Sequence, residues 1–180
     1  TGRFSQIVVK YMTMRSSIAL LLTMFVGFTS CQFTTGKGPL VTKELTVDEF
    51  HSVVLDGSFE LEVLQGAAQH LEAYGHENII EKLKLRVEDG ELRIALEPGS
   101  YHDFELLVKI TVPTIDRISL EGSGDVRIGT FVGLQDIAVE LDGSGDINSN
   151  GPIESAGTVT AKREGSGDLN LQLKGNQVNA

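Results

Sequence analysis

The sequence predicts an all-β fold, specifically a parallel β-helix (solenoid) of about 21–22-residue coils with one N-terminal hairpin. Three observations predict it. Apolar residues alternate with a period of two along most of the chain, a Gly-Ser-Gly-Asp tetrapeptide returns at near-constant spacing, and glycine-bearing turns punctuate the alternating runs.

The first 30 residues are set apart from the fold. From Met14 the chain reads Met14-Arg15-Ser16-Ser17, then an apolar stretch over residues 18–28, then Thr29-Ser30-Cys31. This is the basic, apolar and small-residue order of a secretory signal peptide. The apolar stretch is too short to cross a bilayer, which takes roughly 20 residues. Residues 1–13 precede a natural start at Met14 and read as an over-extended leader. Cys31, the one cysteine of the chain, stands where the apolar run ends. The site resembles the lipobox of bacterial lipoproteins, which implies diacylation of Cys31. Phe28 departs from the aliphatic residue usual three places earlier, and ordinary cleavage leaving a free thiol is the alternative. Without a second cysteine there is no intrachain disulfide, so packing must supply stability outside the cell.

Removing the leader leaves 12 Lys+Arg against 25 Asp+Glu, a formal charge of −13. Phosphate backbones would repel such a domain, so nucleic acid is not expected as a partner. Residues 31–44 include Thr34-Thr35-Gly36-Lys37-Gly38-Pro39 and read as a tether. The domain is expected over residues 45–180.

Within the domain, Phe59, Leu61 and Val63 alternate with Glu60 and Glu62. Leu83, Leu85 and Val87 do the same, and after Asp89-Gly90 the pattern resumes as Leu92, Ile94 and Leu96. An Asp-Gly pair between two alternating runs is a strong hairpin signal. Phe104, Leu106, Val108 and Ile110 give a further strand, stopped by Pro113. Only residues 76–83 have the character of a short helix.

The second half repeats itself. Gly122-Ser123-Gly124-Asp125 returns as Gly143-Ser144-Gly145-Asp146 and as Gly165-Ser166-Gly167-Asp168, at spacings of 21 and 22 residues. Leu55-Asp56-Gly57-Ser58-Phe59-Glu60 looks like a degenerate earlier copy. Twenty-one residues exceed one strand, so each period predicts a coil of short strands stacked in parallel on its neighbours. An antiparallel β-sandwich with similar hairpin turns is the alternative.

These features together resemble the head GIN domain family of auto-transporter adhesins, common in Bacteroidetes-type bacteria. The resemblance rests on Phe50-His51-Ser52-Val53-Val54-Leu55-Asp56-Gly57-Ser58-Phe59-Glu60-Leu61-Glu62-Val63, on Val87-Glu88-Asp89-Gly90-Glu91-Leu92-Arg93-Ile94, on Val112-Pro113 and on the recurring Gly-Ser-Gly-Asp. It implies a β-helical domain, often on a lipoprotein, with no established activity. The period runs out before a further Gly-Ser-Gly, so the C-terminus reads as truncated, with an exposed terminal coil over residues 169–173 open to self-association.

Catalytic and cofactor signals are sparse. Glycine is missing from the sixth position of each Gly-Ser-Gly run, as a dinucleotide loop would need. The residues before those runs, Glu121, Asp142 and Glu164, do not make a nucleophile elbow. His51, His70, His76 and His102 share no metal-ligand spacing. No cofactor and no enzyme activity are expected. Asp125, Asp146 and Asp168 fall in one column, where calcium could bridge coils, but acceptance of turn hydrogen bonds is the favoured role. Asn148, Asn170 and Gln172 are placed for ladders between coils. The expected function is therefore a non-catalytic cell-envelope module for a glycan or protein. It would be lipid-anchored, with the outer membrane favoured over the inner because Gln32 follows Cys31 instead of aspartate. A carbohydrate-active enzyme using an acidic groove is the alternative.

Overall fold

The computed structural model describes residues 33–179. In chain order the first strands are β1 (Phe33–Thr35), β2 (Leu40–Leu45), β3 (Ser52–Gly57), β4 (Glu60–Gln65) and β5 (His70–His76). A single helical turn, α1 (Glu77–Ile80), leads to β6 (Leu83–Glu88), β7 (Glu91–Leu96), β8 (Ser100–His102) and β9 (Leu106–Val112). The remainder comprises β10 (Arg117–Gly122), β11 (Asp125–Ile128), β12 (Phe131–Leu134), β13 (Ile137–Gly143) and β14 (Ile147–Ser155). It ends with β15 (Thr158–Gly165), β16 (Leu169–Lys174) and β17 (Gln177–Asn179). Strand β1 and all of β2 but Leu45 lie within the stretch read from sequence as a tether.

The strands form three sheets. One has seven strands in the order β17-β15-β13-β10-β3-β7-β6. The second has eight, ordered β12-β14-β11-β4-β9-β5-β2 with β16 branching from β14, and the third is the pair β1-β8.

This architecture corrects the single parallel β-helix expected from the repeat. Strands β2, β5 and β9 pair antiparallel, as do β6 and β7, while β3, β4 and the later strands pair parallel. The fold is all-β with mixed sheets and is more consistent with a β-sandwich. The reason is physical: alternation with period two specifies which face of a strand is buried, not the direction of its neighbour. Direction follows from the connection. The Asp89-Gly90 turn, with both residues at positive φ, folds β6 straight back on β7.

Alternation puts Leu61, Val63, Val108 and Ile110 of one large sheet into a common core with Val53, Leu55, Leu92 and Ile94 of the other, all fully buried. On the outer face of the seven-stranded sheet, Val54 and Ser119 pair across β3 and β10 and are also buried. Ion pairs flank them. Arg117 binds Glu91 at 2.9 Å and Glu140 at 2.8 Å, and Arg93 binds Glu121 at 2.7 Å. The hydrogen bond from Arg93 holds Glu121 below the usual carboxylate range.

The recurring turns are built on backbone contacts between successive strands. Gly57, Gly122, Gly143 and Gly165 stand in register across β3, β10, β13 and β15. The amides of Ser123 and Gly124 both donate to the Gly57 carbonyl, at 3.1 and 3.0 Å, and those of Ser144 and Gly145 donate to Gly122 at 2.8 and 3.3 Å. Ser166 and Gly167 repeat the pattern on Gly143, at 2.9 and 3.3 Å. A Cβ on Gly145 would overlap the Gly124 carbonyl oxygen, so this position requires glycine for close approach.

Candidate binding groove

Register alone assembles a row of outward-facing side chains across the eight-stranded sheet. Tyr74 of β5 stands opposite Leu107 of β9, Leu107 opposite Glu60 of β4, and Glu60 opposite Asp125 of β11. The segment linking β8 to β9 rises beside this row. Together they line a groove of about 620 Å³ whose wall includes Tyr101, Phe104, Asp103 and Glu105.

The wall is held in place from several sides. The His76 amide donates to the Glu105 carbonyl at 3.1 Å, and the Glu105 amide donates back to His76 Nδ1 at 3.0 Å. The Gly36 amide donates to the Asp103 carbonyl at 3.2 Å, which ties the β1 end to the same segment. Asp103 has φ of 49°, a left-handed conformation that aspartate tolerates better than most residues. Tyr101 and Phe104 pack edge to face at 6.0 Å, and the Tyr101 hydroxyl donates to the Glu97 carbonyl at 2.7 Å. Phe33 meets His102 edge-on at 4.8 Å.

Electrostatically the groove is acidic. Glu60 is held by Arg127 at 2.7 Å. Among the described residues, no lysine or arginine lines the groove itself. Tyr74 is 42% exposed, the only aromatic side chain of the groove that stands this open among the large exposed hydrophobics.

The sequence-predicted residues fall on and beside this row. Asp125 lines the groove. The registers of β14 and β16 carry the same row onward to Asp146 and Asp168. Asp125 Oδ1 accepts from the Asp146 amide at 3.4 Å, and Asp146 Oδ1 accepts from the Asp168 amide at 2.9 Å. The carboxylates of Asp125 and Asp146 thus each receive the amide of the next copy. Among the described residues, no group of three or more His, Cys, Asp or Glu is arranged to hold a metal ion. Asn170 donates to the Asn148 side-chain oxygen at 3.0 Å, a ladder step, whereas the Gln172 amide donates to Ser149 Oγ at 2.8 Å. Ser123 and Gly124 line the groove; the other turn residues, Gly122, Gly143, Ser144, Gly145, Gly165, Ser166 and Gly167, build the stack. Cys31 lies outside the described residues.

Sequence reasoning passed over Tyr74, Tyr101, Phe104 and Glu60 as site residues. A signal for Tyr74 existed: in Leu71-Glu72-Ala73-Tyr74-Gly75 an aromatic takes an outward position on a half-polar strand. The approach of residues 101–105 to that strand was not readable.

A family model described as "Putative auto-transporter adhesin, head GIN domain" matches residues 49–180. The chain belongs to this family. The groove therefore lies within the head GIN domain, with β1 and β2 preceding the matched region. Among solved structures, the domain is similar to one described as a "putative lipid binding protein" from Parabacteroides distasonis, at 23% identity and a TM-score of 0.67. That match covers 79% of this chain and 63% of the other, so the chain spans less than two thirds of that protein's length. A second, described as "a putative adhesin" from Parabacteroides merdae, is 15% identical with a TM-score of 0.50, covering 82% of this chain and 99% of the other. These likenesses are of fold. No curated protein matches the chain.

Proposed function

We propose that the chain is a non-catalytic binding module of the bacterial cell envelope whose groove takes a glycan or protein from a neighbouring surface. The observation that carries this reading is the groove itself: an exposed tyrosine on β5 and several carboxylates, beside a wall held by backbone and His76 hydrogen bonds. Pre-organised walls limit the ordering cost of binding. The adhesion named in the family description supports the same reading.

In this reading residues 1–30 are removed as a leader, Cys31 carries lipid, and residues 31–44 link the anchor to the domain of residues 45–180. Several acyl chains hold where one does not. Gln32 favours the outer membrane as the destination. Phe33, the first described residue, sits against His102 of the groove segment. Self-association belongs to the same proposal, through β16, where Leu169, Leu171 and Leu173 are half-buried beside a second hollow of about 480 Å³.

The second reading, a carbohydrate-active enzyme, draws on the acidity of the groove, because glycoside hydrolysis needs two carboxylates flanking a sugar bond. A glycan array followed by size analysis of the bound oligosaccharides separates the two. Binding with intact products supports the module, and shortened products support the enzyme. Fatty-acid labelling with and without Cys31→Ser tests the anchor: label and membrane retention should both be lost in the variant.

A further inference from the structure

One imidazole stands where three segments meet behind the groove. The Glu105 amide donates to His76 Nδ1 at 3.0 Å, so that nitrogen carries a lone pair and no proton. The ring is half-buried, and a Cβ on Gly36 would overlap it, so the turn between β1 and β2 lays bare backbone against the imidazole. That turn is fixed independently. The Asn78 side chain accepts from the Lys37 amide at 2.8 Å and donates to the Thr35 carbonyl at 2.9 Å. The wall at residues 103–105 leans on the ring, with two backbone bonds beside it: the His76 amide to the Glu105 carbonyl and the Gly36 amide to the Asp103 carbonyl.

We propose that His76 is a pH-sensitive latch on this wall, closed while the imidazole is neutral and released when it is protonated. Protonation puts an N–H on Nδ1 that faces the N–H of Glu105, donor against donor, and the bond is lost. The charged and titratable groups around the ring are Glu77 and Glu81, both held by Lys43 of β2, Lys37 in the turn between β1 and β2, and His102, Asp103 and Glu105 on the wall. Among the described residues, none of these carboxylates pairs with His76, whereas Asp116 pairs with His51 at 3.2 Å and Glu44 with His70 at 3.4 Å. A proton on His51 or His70 therefore strengthens a contact already made, while a proton on His76 removes one. The left-handed φ of 49° at Asp103 is a conformation from which the freed segment relaxes. Release loosens Phe104, Asp103 and Glu105, which form the groove wall, so the shape of the groove follows the pH of the compartment. The latch is the same whatever the groove binds, and its test uses no ligand, so its failure leaves the reading of the groove as a binding site standing.

Amide hydrogen exchange followed by NMR tests this, with each rate divided by that of an unstructured amide at the same pH. Between about pH 8 and 5, where imidazoles titrate, protection of the Glu105 amide should fall about fivefold. The amide of Leu61, in the core, should keep its protection, which separates release of the latch from acid unfolding and establishes that each variant is folded. His76→Asn keeps an acceptor near the place of Nδ1 but does not titrate, so Glu105 should stay protected across the whole range. His76→Phe fills the space without an acceptor, so Glu105 should exchange throughout at the rate the wild type shows in acid. Wild-type protection of Glu105 that does not change with pH overturns the inference. So does a pH dependence that survives in either variant, which would trace to His102, Asp103 or Glu105, and so does full protection in His76→Phe.

Discussion

Residues 40–112 and residues 117–179 use the same alternation of apolar and polar side chains, yet they hold together differently. In the first region, antiparallel pairing mixes with parallel, and the core residues of β3, β4, β7 and β9 are buried on both sides by neighbouring strands. In the second, each copy stacks on the last through glycine backbones, and the core thins along the stack. β10 to β12 bury Ile118, Leu120, Val126, Ile128, Phe131 and Leu134, whereas Val159 is the last buried apolar residue of β15 to β17 among the described residues. The comparison teaches that a repeated turn sets spacing, while side-chain burial sets stability. It also locates the site: the groove forms where the segment before β9 leaves the stacked pattern and folds beside the row of β5, β9, β4 and β11.

The sharpest way to break the comparison is to add one methyl group in the stack. Gly145→Ala drives a Cβ into the Gly124 carbonyl and should cost about 3 kcal/mol or more in denaturant unfolding. Gly133→Ala is the control. That residue has φ of 74° but nothing within 4 Å of its would-be Cβ, so only the backbone cost of about 1 kcal/mol remains.

A second test compares the two cores directly. Leu61→Ala, in the fully buried core of β4, should lower stability by about 3 kcal/mol. Leu171→Ala on half-buried β16 should cost about 1 kcal/mol. Equal losses would mean that the stack is as well packed as the mixed region.

The ion pairs over the seven-stranded sheet bridge both regions, since Arg93 of β7 reaches Glu121 of β10. Arg93→Ala should cost under about 1 kcal/mol, because the pair is more than a third exposed. Its loss should shrink further at high salt.

The smallest effect is expected at Glu97, which belongs to the first region alone. Hydrogen bonds from Lys82 and Lys84 lower its carboxyl from 4.5 to about 2. A depressed folded-state pKa contributes stability above the unfolded value and loses it as the pH falls. Melting temperature should therefore drop between pH 4.5 and about 2, and Glu97→Gln should flatten that part of the curve.

Much of this was legible in the residues and some was not. The Asp89-Gly90 hairpin, the alternating core and the register of the Gly-Ser-Gly turns follow from local chemistry and spacing, and the degenerate copy at Gly57 proves to be in register with Gly122. Strand direction before residue 117 did not follow, because Leu71, Ala73 and Gly75 would bury the same face in either direction. The groove did not follow either. It depends on His76 capturing the Glu105 amide across 29 residues, a contact with no local signature.

The claim that the site lies where the mixed region meets the first turn of the stack, and not farther along the stack, is tested most directly by calorimetry. The strongest ligand from a combined glycan and peptide array is titrated into the wild type, Tyr74→Ala and Asn170→Ala. The account predicts that Tyr74→Ala weakens binding by about threefold or more while Asn170→Ala matches the wild type. A ligand lost with Asn170 and untouched by Tyr74 would contradict it and move the site onto the stacked turns.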